Sequence, residues 1–116
     1  MFDFRTFSIV TAVAASSLTL VGSPAEAQQV SGAEFTNSHS GKCVTYSGPS
    51  AGTQCFGSNG VTNYDDKSYG TDTGRWEVRG NDVCTNWQKE PGWDCGPVSR
   101  TGSNSFTDGE YSWTLN

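Results

Sequence analysis

After Ala27 the chain has no isoleucine and no methionine, and its single leucine is Leu115. Valine, phenylalanine and leucine together fill ten positions of that stretch, from Val30 to Leu115. So few aliphatic side chains cannot build a conventional core, and by themselves they would suggest disorder. The aromatic inventory argues the other way. Four Trp and four Tyr lie in the same stretch, and each large ring buries roughly 150–250 Å². Histidine is nearly absent: His39 is the only one. It stands in the polar run Asn37-Ser38-His39-Ser40-Gly41, where it reads as a surface residue of a loop. With one such histidine and no G-x-S-x-G elbow, no hydrolase triad is visible. Basic residues are also scarce, six against ten acidic ones after Ala27. That balance argues against nucleic acid or an anionic membrane as partner.

Long apolar runs are missing except at the start. Arg5 is the only positive side chain before an apolar run from Thr6 to Gly22. Pro24 and then Ala25-Glu26-Ala27 follow, with small residues where a signal peptidase requires them. The apolar centre, Ile9 to Val21, is 13 residues long, short of the roughly 20 that span a bilayer. Residues 1–27 are therefore expected to be a signal peptide, with no cysteine at the cleavage region for lipid attachment. Residues 28–116 are expected to form a single exported domain, periplasmic or extracellular, with no membrane span. Its 89 residues are too few for a second core.

Four cysteines in a short exported chain read as two disulfides, with three possible connectivities. Cys43 and Cys55 are 12 apart, and Cys84 and Cys95 are 11 apart. Each pair brackets turn chemistry, Gly48-Pro49-Ser50-Ala51-Gly52 in one case and Glu90-Pro91-Gly92 in the other. Nearest-neighbour pairing is the expectation, and a loop of that size contributes about 3 kcal/mol in the chain-entropy model. The spacing lacks the close C-x₂₋₄-C pairs of a zinc site.

The most patterned stretch is Gly74 to Cys95. A two-residue hairpin turn at Gly80-Asn81 would set Val78 opposite Val83 and Trp76 opposite Thr85. Trp76, Val78, Val83, Thr85 and Trp87 then share one face, and Cys84 takes the other. A Cys84–Cys95 bond would put Trp93 on that outer face, opposite Asn86. There it is expected either to cover the disulfide or to be turned inward at Pro91-Gly92.

Upstream, Gln28 to Val30 reads as a frayed start. Ser31-Gly32-Ala33-Glu34 has capping-box spacing and predicts one short helical turn through about Asn37. Strands are expected at Lys42–Ser47, Thr53–Gly57 and Gly60–Tyr64, with Asp65–Gly74 a polar loop. Further strand segments are expected at Trp93–Ser99, at Phe106 and at Tyr111–Leu115. Turns every 8–12 residues predict an all-β fold, a small antiparallel meander curling into a barrel or sandwich.

Several segments carry a resemblance: Ser31-Gly32-Ala33-Glu34, Gly60 to Tyr64, Thr73 to Trp87 with its T-G-x-W-x-V-x-G-x-x-x-C-x-x-W pattern, and Cys95-Gly96-Pro97-Val98. Over roughly residues 31–98 the chain resembles an uncharacterised family of small exported alphaproteobacterial proteins. The Cys43/Cys55 pair and the short aliphatic inventory depart from that pattern. The resemblance implies a periplasmic or secreted β domain and no particular activity.

Candidate chemistry is thin. Asp65, Asp66 and Asp72 offer oxygen ligands, but the EF-hand order and its closing Glu are missing and Lys67 intrudes. A solvated turn is expected there, with no metal. Glu77, Asp82, Asp94 and Glu110 are scattered, with no pair that marks a glycosidase cleft. No phosphate loop is present. No catalytic residue and no cofactor are therefore assigned. Tyr64, Tyr69, Trp93, Tyr111 and Trp113 fall in or beside loops and strand ends, where a protein partner or a sugar ring could stack. Of these Trp93, Trp113, Tyr64 and Tyr69 are the candidate contacts. The expected function is non-enzymatic: a module that binds an envelope protein, or alternatively a cell-wall glycan through two coplanar exposed rings.

Overall fold

Short alternating segments separated by turns bury their rings most simply by lying strand beside strand in a sheet that curls on itself. The computed structural model describes residues 28–116; the expected leader lies outside them. The elements run β1 (Gln28–Gln29), α1 (Gly32–His39), β2 (Lys42–Ser47), β3 (Ala51–Phe56), β4 (Val61–Asp66) and β5 (Gly70–Arg79). They continue as β6 (Asp82–Trp87), β7 (Asp94–Pro97), β8 (Ser99–Arg100), β9 (Ser105–Thr107) and β10 (Ser112–Leu115). All ten strands belong to one sheet, ordered β1-β8-β9-β10-β2-β3-β4-β5-β6-β7. Neighbouring strands in it pair antiparallel throughout. β7 passes through Val98 directly into β8, so one residue links the two flanks and the sheet is a nearly closed barrel. The fold is the expected all-β meander, and it is a barrel rather than a sandwich.

The central hairpin has the expected register, Val78 opposite Val83 and Trp76 opposite Thr85. Gly80, with φ of 63°, supplies the left-handed conformation that its two-residue turn requires. Cys43 is bonded to Cys55 and Cys84 to Cys95. In both cases the two residues lie directly opposite each other on neighbouring strands.

α1 begins as its sequence suggests, with the Ser31 hydroxyl accepting from the Glu34 N–H at 3.1 Å. The Glu34 carboxylate does not complete a capping box; it pairs with Arg100 and ties the helix to β8. The helix runs past Asn37 to His39, because the imidazole stacks on Phe35 one turn earlier at 3.8 Å between centroids.

Two further expectations are corrected. Gln28–Val30 is not frayed: β1 pairs with β8, and buried Val30 donates its N–H to the Val98 carbonyl. Burying an apolar side chain there offsets the entropy cost of ordering the terminus. Asp65–Gly74 is not a loop either. β4 extends to Asp66, β5 starts at Gly70, and only residues 67–69 turn. Its polar residues are strand residues whose inner face is itself polar, so the apolar-in pattern that marks a strand is missing there.

Candidate functional site at the open end of the barrel

The two ends of the barrel are built differently. At one end Phe35 and His39 of α1 enter among rings drawn from around the circumference. Phe35 meets Phe56 and Trp76 edge-on, and His39 meets Phe56, Phe106 and Trp113. Val30, Val44 and Val98 complete this core. Gly32 and Asn81 secure the helix here, the Gly32 N–H donating to the Asn81 side-chain oxygen at 2.9 Å. This end is closed.

At the other end lie the turns between β2 and β3, β4 and β5, β6 and β7, and β9 and β10. They surround the mouth of a cavity of about 950 Å³ whose walls are the inner face of the barrel. Its floor is the apolar closed end, represented by Phe35, Val44, Phe56 and Val83. The walls above it carry Tyr46, Gln54, Tyr64, Asp66, Asp72 and Trp87.

Asp66 organises one wall. Its side chain is 5% exposed, yet both oxygens are fully engaged. Oδ2 accepts from the Tyr46 hydroxyl at 2.7 Å and the Ser50 hydroxyl at 2.6 Å. Oδ1 accepts from the backbone N–H groups of Ser68 and Tyr69 at 2.8 and 3.0 Å. Burial pushes this carboxyl up, but the hydrogen bonds from Ser50, Tyr46, Ser68 and Tyr69 outweigh it and hold the pKa at about 2. The local sequence explains the reach. Gly52 sits between Tyr46 and Asp66 in the register. A Cβ there would fall 2.8 Å from the Tyr46 oxygen and 2.2 Å from the Asp65 carbonyl oxygen. The Ser50 hydroxyl also lies 3.2 Å from that of Tyr111, whose ring meets Tyr46 edge-on at 5.5 Å.

The neighbouring strand β5 adds Asp72, 8% exposed, to the same stretch of wall. Its carboxylate accepts from the Thr73 N–H at 2.7 Å and the Lys89 N–H at 3.0 Å. The second bond ties β5 to the turn before β7. Trp87 stands beside it, edge-on to Tyr64 at 4.7 Å. Gly74 makes room for that indole, since a Cβ there would lie 3.0 Å from Trp87 and 2.3 Å from the Asn86 carbonyl oxygen. Burial raises the pKa of Tyr64, and burial together with the hydrogen bond to Asp66 raises that of Tyr46. Both phenols are therefore neutral hydrogen-bond donors at physiological pH.

Of the sequence-predicted contacts, Tyr64 lies in the cavity wall and Tyr69 and Trp93 on the rim. Tyr69 is 65% exposed and Trp93 40%. The Trp93 ring lies 4.8 Å from the Arg79 guanidinium. Arg79 is one row from the Glu77–Cys84 pair on the same face of β5, so this contact holds Trp93 near the buried Cys84 while part of the ring stays free. Trp113 is not on the rim. It is half-buried at the closed end, where its indole N–H donates to Nε2 of His39 at 3.0 Å.

His39 itself corrects the sequence reading. It is fully buried, not a loop surface residue. The Trp113 N–H requires an unprotonated Nε2, so the proton sits on Nδ1, 2.8 Å from the Ser38 hydroxyl. Burial holds the pKa of His39 down at about 4, with the charges of Arg100 and Lys42 helping and the Phe35 carbonyl opposing. Asp65, Asp66 and Asp72 do not form a solvated turn. Asp65 is exposed while the other two face the cavity, and the described residues hold no cluster of three or more metal-ligating side chains.

Sequence reasoning missed Tyr46, Asp66, Asp72 and Trp87 as one site. The available signal was the period of two in β4, which puts Thr62, Tyr64 and Asp66 on one face. Compared with family models, with curated proteins and with solved structures, the chain matches none of them.

Proposed function

We propose that the chain is a non-enzymatic binding module of the bacterial envelope, periplasmic or extracellular, whose ligand enters the open end of the barrel. One observation carries this reading: a cavity of about 950 Å³, closed at one end by an aromatic plug and open at the other between hairpin turns. Ligand sites are commonly about 300–1,000 Å³ and pair apolar surface with a few placed polar groups. Here Phe35, Val44 and Phe56 provide the first, and the Tyr46–Asp66–Ser50 cluster provides the second. The location is supported by the two disulfides, which persist in oxidising compartments. The leader-like residues 1–27 point the same way.

The test is calorimetric and fluorimetric titration of the oxidised domain against a panel of metabolite-sized compounds. Saturable one-to-one binding that alters tryptophan emission, with the change lost in Trp87→Phe, is the expected result. Silence across the panel would overturn the reading.

A second reading, a protein partner seated over the rim, is favoured by the exposure of Tyr69 and Trp93 beside Glu90. Affinity capture from an envelope extract, with a reduced and alkylated chain as control, separates the two. The glycan alternative loses one of its platforms, because half-buried Trp113 cannot form a coplanar exposed pair with Trp93.

A further inference from the structure

The charge of the cavity is out of proportion to that of the domain. Its lining holds six carboxylates, Asp66, Asp72, Glu90, Asp94, Asp108 and Glu110, against one ammonium, Lys89. Acidic residues exceed basic ones by only four over residues 28–116. More than the whole excess of negative charge therefore faces one concave space, where low-dielectric walls focus the field.

The two inner carboxylates are also not neutralised by their neighbours. The hydrogen-bond donors to Asp66 are the hydroxyls of Tyr46 and Ser50 and the backbone N–H groups of Ser68 and Tyr69. Those to Asp72 are backbone N–H groups. The Lys89 ammonium, the cation nearest to hand, is directed to the Tyr69 carbonyl at 3.3 Å. The ion pairs Arg79–Glu77 and Arg100–Glu34 lie outside this lining. Neutral donors fix the position of a carboxylate without cancelling its charge.

Asp66 and Asp72 are diagonal neighbours on the inner face of β4 and β5, since Asp66 is opposite Gly70 and Asp72 opposite Tyr64. The backbones of such diagonal pairs stand roughly 7–8 Å apart, so a cationic head group near one carboxylate also feels the charge of the other. The rings of Tyr46, Tyr64 and Trp87 share the same walls, and aromatic faces attract desolvated cations. Below them the floor is apolar.

We propose that the ligand is an amphipathic organic cation, its ammonium or guanidinium head between Asp66 and Asp72 and its apolar body toward Phe35 and Phe56. This rests on the cavity being the binding site.

The test compares three ligands of one shape: phenethylammonium, the neutral 2-phenylethanol and the anionic 3-phenylpropanoate. Each is titrated calorimetrically into the oxidised domain at pH 7. The cation is expected to bind at least tenfold more tightly than the alcohol, the anion not to bind, and the cation's advantage to shrink as salt is raised. Asp72→Asn keeps an acceptor for one of the two backbone N–H groups, that of Lys89 or that of Thr73, and is expected to weaken the cation about tenfold while leaving the alcohol unchanged. If that variant does not fold, Glu110→Gln on the rim serves instead, with a two- to threefold loss for the cation only.

Equal binding of alcohol and amine, or an unchanged cation affinity in the folded carboxylate variant, would overturn the cation and leave the cavity reading intact. Failure of all three while other panel compounds bind would do the same. Failure of all three and of the whole panel would overturn both.

Discussion

The closed end and the open end of this barrel are made from the same kinds of residue put to opposite uses. Both are aromatic. At the closed end Phe35, Phe56, Trp76 and Phe106 are buried against one another, and the polar atoms among them are internally matched: the Trp76 indole N–H donates to the Gly57 carbonyl at 2.9 Å and the Trp113 N–H to His39. At the open end Tyr46, Tyr64 and Trp87 are half-buried and border a space that none of the described residues fills. One end holds the domain together. The other spends burial on carboxylates, which packing alone would not select.

The largest test of that contrast is a pair of truncations. Trp76→Ala should cost about 3–5 kcal/mol, as loss of a packed aromatic does. Trp87→Ala should cost about 1 kcal/mol, because its ring already borders open space and its removal creates little new cavity. Urea unfolding of the oxidised domain measures both, and equal costs would mean that the two ends are not energetically distinct.

Acid should undo the two ends in separate windows. The folded pKa of His39, about 4, lies below its ordinary 6.5, so between those values the unfolded chain binds the extra proton. Stability conferred by the neutral imidazole is full above pH 6.5 and falls as pH drops toward 4, by about 3 kcal/mol in all. His39→Gln should flatten the fall between pH 6.5 and 5, above the range where carboxylates titrate. Asp66, held at about 2 against an ordinary 3.8, contributes stability that is present above pH 3.8 and lost as pH falls through 2. Melting temperatures across pH 7.5 to 2 read both windows. A wild-type curve flat from 6.5 to 5 would remove His39 from this role.

The smallest effect sharpens the open end. Tyr46→Phe deletes one hydroxyl donor to Asp66 and should cost about 1 kcal/mol, while the acid transition assigned to Asp66 moves to higher pH. A cost with no such movement would mean that the hydroxyl does not help to hold the carboxylate ionised.

The legible parts of the chain were those with a local physical signature. Gly80-Asn81 between alternating apolar residues announced its hairpin, because only certain residues adopt the turn. Cysteines 11 and 12 residues apart across turn sequences made nearest-neighbour pairing the expectation among three connectivities, and the structure has it. His39 was misread because nothing in Asn37-Ser38-His39-Ser40-Gly41 reveals that Phe35, Phe56, Phe106 and Trp113 converge on it from distant strands. The strand from Asp65 to Gly74 was missed for a related reason: its inner face is polar, and polar alternation looks like a loop.

By itself, then, the sequence determined the all-β class and the central register and favoured the nearest-neighbour disulfides, since pleat period, turn geometry and loop length are local properties. Which end of the barrel would be plugged, that Trp113 would serve the core and not a surface, and that Asp66 and Asp72 would share a cavity were decided only by tertiary structure. Those outcomes depend on how the sheet closes. Closure sets residues far apart in the chain face to face, and it decides which face of each strand is enclosed, so that Asp66 is buried while its neighbour Asp65 is exposed.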